Sequence, residues 1–225
     1  MFQKIKNWLY KKFTINKIFS IEEAKNKLLK INNNNIISIY SYPKYETKTI
    51  VLIINNKENN IFETIQNSEI KYILQKVSFI CLSQKEITEA ADVFSLQFFD
   101  IKTTATHIYG TDIFKNITIS NAHLRRKMEF DIRNKSIYLR QESVRIPANI
   151  LIHNIISELK PVIHAAQYLQ ISLITEALQS VEEITENIHS NNIKYSEKEL
   201  IIAISNISAM LEIWADEVEK HEKKL

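Results

Sequence analysis

The chain has one glycine, Gly110, and its first aspartate is Asp92, so the first 91 residues contain neither residue type. That shortage constrains the sequence more than any motif does. Glycine lets backbone N–H groups close in on a phosphate, and carboxylates hold the Mg²⁺ that neutralises it. A globular protein of this length holds roughly 16 glycines at average usage. One glycine supplies neither a G-x-x-x-x-G-K-[ST] loop nor a G-x-S-x-G elbow. Isoleucine, asparagine and lysine are heavily used while proline and arginine are scarce. This skew suits an AT-rich genome and accounts for part of the glycine deficit.

The 225 residues are 45% hydrophobic and 24% charged, enough for one large or two small domains with real cores. A net charge of +3 gives no strong nucleic-acid signal. Cys81 is the sole cysteine and sits in the apolar run Val77–Leu82. No internal disulfide can form, and the thiol reads as a buried small hydrophobe. The six histidines form no i,i+4 pair and no tight cluster with the cysteine, so no zinc site is expected. A Ser-His-Asp triad assembles in space and is neither favoured nor excluded here. No apolar run approaches the length of a membrane span, and the N-terminus lacks a signal-peptide core. The expected setting is reduced and cytoplasmic.

Residues 1–19 carry Lys4, Lys6, Lys11, Lys12 and Lys17 with no acid, and Phe2, Ile5, Trp8, Leu9 and Phe13 recur at helical spacing. They read as a basic amphipathic helix, docked on its own domain or touching a membrane surface or acidic partner. Ser20 with Glu23, Ser83 with Glu86 and Ser196 with Glu199 have capping-box spacing. They predict helices over 21–31, from 84 toward Asp100, and over 197–222. A helix interrupted near Asn67 is expected over 61–74, and strands over 36–42, 47–54 and 77–82, with a turn at Pro43-Lys44. Strand 47–54 is apolar on both faces, as befits a central strand. Short extended pieces are expected at 106–109 and 117–119 around a turn at Gly110. Helices are expected over 122–143, 148–159 and 161–189, with Pro161 at a first turn or a kink. In the last helix Leu200, Ile204, Ile207, Leu211, Trp214 and Val218 form one stripe. Leu211 and Trp214 are core candidates, with a self-association seam as the alternative. The fold class is therefore α+β: a small α/β sheet layer over 1–119, then a helical bundle over 120–225.

Two groups of residues could carry chemistry. Asp92 and Asp100 lie eight apart, so one helix through both would face them the same way. Such a pair could bind a cation, cap helices or meet arginine. On the long helix Arg125, Glu129, Arg133 and Arg140 share a face roughly 80° wide at 3.6 residues per turn. They read as a charge network reaching Asp92 and Asp100, or as an anion or nucleotide contact for which arginine is well shaped. Arg126 adds charge nearby.

Residues 83–143 resemble a group of bacterial nucleotidyltransferase-like proteins of the polymerase-beta type. The matching residues are Asp92-Val93-Phe94, Phe98, Asp100, His107, Tyr109-Gly110, Asp112, Leu124-Arg125, Glu129, Arg133 and Leu139-Arg140-Gln141. Ser95 stands where the pattern has proline, and Gln97 where it has glutamate. The resemblance implies an N-terminal α/β domain and a C-terminal helical domain. In active members of that superfamily a Gly-Ser turn holds the triphosphate, and a pair of aspartates on one strand with a later carboxylate binds two Mg²⁺ ions. This chain has no Gly-Ser and no aspartate between 36 and 54, and Glu46 is the one acid there.

The resemblance thus implies a scaffold that has lost its metal chemistry. No catalytic residue, metal ligand or cofactor carries over. Asp92, Asp100, Arg125, Glu129, Arg133 and Arg140 remain as ligand-binding or interdomain candidates. The partner expected is a nucleotide or a protein, with a homo-oligomer and membrane-surface contact through residues 1–19 as further readings. The alternatives are a helical scaffold protein working through its bundle face or its basic N-terminal helix, and a metal-dependent transferase using other acids such as Asp92, Asp100 or Glu46.

Overall fold

A computed structural model describes residues 20–32, 34–44, 47–55, 66–172, 174 and 196–223. The helix expected over residues 1–19 lies outside the described residues, as do residues 61–65 and 175–189 of two other expected helices. The described elements are α1 (Ile21–Asn32), β1 (Ile36–Lys44), β2 (Thr47–Ile54), α2 (Ser68–Leu74), β3 (Ser78–Ser83), α3 (Gln84–Glu89), α4 (Ser95–Thr104), β4 (Thr106–Gly110), a 3₁₀ turn (Phe114–Asn116), α5 (Asn121–Glu142), α6 (Ala148–Leu169) and α7 (Glu197–Lys223). They fall into two units, one within Met1–Thr88 and Thr104–Asn116, the other within Glu89–Thr103 and Ile117–Leu225.

The first unit is a four-stranded mixed sheet in the order β3-β2-β1-β4. β1 pairs antiparallel with β2 and with β4, while β2 pairs parallel with β3. β2 is central because every residue from Ile50 to Ile54 is at most 1% exposed. Ile39, Ile50, Leu52 and Ile54 pack with Ala24 and Leu28 of α1 and Ile70, Ile73 and Leu74 of α2. Pro43 and Lys44 belong to β1 and face Lys48 and Thr47, where a turn is expected from sequence. The last β4 partner of β1 is Ser41, so Pro43 sits where β1 pairs on one side alone. A missing N–H is tolerated there.

Gly110 ends β4 at φ +78°, opposite Ser38. A Cβ there would fall 1.9 Å from the carbonyl oxygen of Ile37. The same carbonyl accepts from Thr111 N at 3.1 Å. The chain's one glycine occupies a position that no side chain fits.

All three capping boxes form. Glu23, Glu86 and Glu199 accept from the backbone N–H of Ser20, Ser83 and Ser196 at 2.9, 2.7 and 2.6 Å, and each serine hydroxyl accepts from the N–H of its glutamate. The interruption expected near Asn67 is the N-cap of α2, where the Asn67 side chain accepts from Glu69 N and Ile70 N. The helix expected to run from 84 toward Asp100 is in fact two helices. Residues 90–94 form a turn between α3 and α4, where the chain leaves one unit for the other. Residues 117–119 form no strand. The Ile117 carbonyl instead accepts from Lys102 Nζ at 2.7 Å.

In the second unit α5 packs on α6 and α7. The core joins Leu124, Met128, Ile132 and Leu139 of α5 to Leu151, Ile155, Leu159 and Val162 of α6 and Ile207, Leu211, Trp214 and Val218 of α7. Leu96 and Phe99 of α4 belong to it as well. Pro161 lies inside α6 and does not end it. The apolar positions on both sides of the proline are buried, and their packing holds the helix through the missing hydrogen bond. α6 stops instead at Gln170, in the left-handed conformation at φ 58°.

Candidate functional site

The sheet of the first unit is the place to look for metal ligands. Its four strands read IISIYSYPK, TKTIVLII, SFICLS and THIYG, without a carboxylate among them. Ser38, Tyr40 and Tyr42 share one face with Ile53, Val51 and Thr49, their register partners. All six are at most 4% exposed. The acid beside this face, Asp112, is engaged: Tyr40 donates its hydroxyl proton to Asp112 Oδ1 at 3.0 Å, and Lys115 N donates to the same oxygen. Phe114 N donates back to the Tyr40 oxygen at 3.3 Å. Burial, and secondarily the Asp112 carboxylate, raises the Tyr40 phenol above its ordinary pKa. The His107 ring lies 5.0 Å from that of Tyr40, with its Nε2 buried and unpartnered. Among the described residues, no group of three or more histidine, cysteine or acidic side chains could hold a metal ion. Burial pushes the Cys81 thiol to about 12, so it is not a nucleophile at neutral pH.

In the second unit the two aspartates part company. Asp92 is exposed in the turn before α4, whereas Asp100 on α4 is 3% exposed. They share no helix, so the common face expected of them does not exist. Asp100 Oδ1 meets His164 Nδ1 of α6 at 2.6 Å, and the His164 side chain is 40% exposed. A buried carboxylate thus orients an imidazole whose side chain is partly open to solvent.

On α5, Glu129 accepts from Arg133 Nε at 2.8 Å. Arg133 also reaches Asp216 and Glu219 of α7, each at 3.5 Å, and Arg140 reaches Glu212 at 3.3 Å. The network expected toward Asp92 and Asp100 therefore runs to α7. Lys135 pairs with Glu158 on α6. Arg125 stands apart from all of this: it is 7% exposed and its Nε is buried without a hydrogen-bond acceptor.

Sequence reasoning missed two sets of partners. The acids at 212, 216 and 219 have the spacing of one helix stripe, a readable signal. Nothing local ties His164 to Asp100, 64 residues away.

No protein-family model matches the chain, and no curated protein matches it either. Among solved structures, it matches the crystal structure of the spectinomycin adenyltransferase AAD(9) from Enterococcus faecialis with ATP and spectinomycin. The TM-score is 0.51 at 13% identity, over 85% of this chain and 98% of that one. The fold is nucleotidyltransferase-like. A nucleotidyltransferase-like fold places a small mixed sheet before a set of helices, the order found here. No described helix is long and apolar enough to cross a membrane.

Proposed function

We propose that the chain is a non-catalytic nucleotidyltransferase-like protein, acting as a nucleotide- or protein-binding regulatory module. The observation carrying this reading is a sheet with no carboxylate on any of its four strands. Two-metal phosphoryl chemistry needs oxygen ligands holding ions roughly 4 Å apart. Serine, tyrosine, threonine, valine and isoleucine occupy the buried face away from α1 and α2, and none of these binds Mg²⁺ as a charged ligand. The adenyltransferase neighbour was crystallised with ATP, which supports a nucleotide as the first ligand class to test. Fold likeness alone licenses no activity.

Titration calorimetry with ATP, GTP and CTP, each with and without Mg²⁺, tests this reading. Binding that does not depend on Mg²⁺, with no release of pyrophosphate, is the expected result. Pyrophosphate release in the presence of an alcohol acceptor would overturn the non-catalytic part.

A second reading, protein binding through the helical unit, is supported by its exposed apolar residues. Val144, Ile150 and Ile201 are 84%, 47% and 58% exposed. Ile201 also lines an open groove of about 710 Å³ with Leu139, Ile146, Leu200 and Ile204. Light scattering on the purified chain distinguishes self-association through this surface from a monomer.

A further inference from the structure

Arg125 is 7% exposed, and its Nε has no acceptor. The carboxylate one turn along the helix, Glu129, is committed to Arg133 at 2.8 Å. Among the described residues no ion pair reaches Arg125, although the other two arginines of the face, Arg133 and Arg140, both have acids. An uncompensated buried charge weakens a fold. Places where a chain breaks such a rule are expected to be functional or strained sites.

The position says what kind of ligand this is. Side chains on a helix lean toward its N-terminus, the direction in which the first turn of α5 lies from Arg125. That turn contains no acid, and its free amides form the positive end of a helix of 22 residues. The one capping hydroxyl, that of Ser120, is taken by His123 N. Arg126 follows directly and is exposed. A fixed planar fork of donors beside a helix N-terminus suits a phosphoryl oxyanion.

We propose that Arg125 is the binding residue for a phosphate group seated at the N-terminal end of α5. This rests on the nucleotide-binding reading above only for the source of the phosphate; inorganic pyrophosphate tests the site by itself.

The experiment titrates the full chain with pyrophosphate and then with ATP, comparing wild type with Arg125→Met and Arg126→Gln. The Arg125 Nε–H resonance is followed by NMR and thermal stability is recorded without ligand. The expected result is binding of both ligands, a shift of the Arg125 resonance, and at least tenfold weaker binding in Arg125→Met. Arg126→Gln should change affinity less than threefold. Arg125→Met should melt at or above the wild-type temperature without ligand, because an unpaired charge has gone. A lower melting temperature with unchanged affinity would make Arg125 structural and overturn the proposal. Pyrophosphate binding without ATP binding would leave this site standing and remove the nucleotide. ATP binding that survives Arg125→Met would do the reverse. Binding of neither ligand overturns the site.

Discussion

At Gly110 the backbone sits at φ +78° with the Ile37 carbonyl 1.9 Å from where a Cβ would stand. Alanine there must push a paired strand aside as well as adopt an unfavourable conformation. Gly110→Ala is expected to cost at least about 2 kcal/mol, read by chemical denaturation. Cys81 makes a second test at this scale. Its thiol holds its proton up to about 12 when folded, against 9.0 ordinarily, because it is partly buried and lies near the Glu86 carboxylate. A thiol reagent at pH 8 should therefore label the native chain far more slowly than the denatured one. The sign for stability follows from the same shift. Between pH 9 and 12 the unfolded thiol has lost its proton and the folded one has not, so stability is full below pH 9 and falls as the pH climbs. The apolar run around Cys81 predicts a buried thiol, and the structure leaves it partly buried against the core of the first unit. The need for glycine at 110 was not, because only the approach of Ile37, distant in sequence, creates it.

Among the elements, local rules did well where local chemistry dominates. Each Ser-x-x-Glu pair became a helix start because both bonds close within four residues. Ser83→Ala should cost about 1 kcal/mol, measured by denaturant midpoint. Local rules failed at residues 90–94, where a helical pattern is broken as the chain changes units, and at Pro161, where packing overrides a breaker. The α5–α7 seam shows two energies side by side. Arg133 is 45% exposed although it reaches three acids, so Arg133→Met should cost less than about 1 kcal/mol, and less still in high salt. Trp214, 1% exposed in the same seam, belongs to the core rather than to a self-association surface; Trp214→Ala should cost about 3–5 kcal/mol. The seam is held by apolar burial far more than by its exposed ion pairs.

For the molecule as a whole, the α+β order was legible because strand and helix periods differ and the described strands all lie before residue 111. The site was legible only in part. The sequence marked Arg125, Glu129, Arg133 and Arg140 as one face, which is a matter of helix geometry. It had no means of dividing them, since the acids at 212, 216 and 219 claim Arg133 and Arg140 from another helix. What the amino-acid order settled by itself is compositional and local: a sheet without carboxylates, helix starts with their own caps, and a thiol inside an apolar strand. Tertiary structure alone decided which charges meet. It joined Asp100 to His164, took Arg133 to α7 and left Arg125 buried without an ion pair among the described residues. The physical reason is range: caps and periodicity act within a few residues, whereas ion pairing and burial depend on what the folded chain brings within a few ångströms.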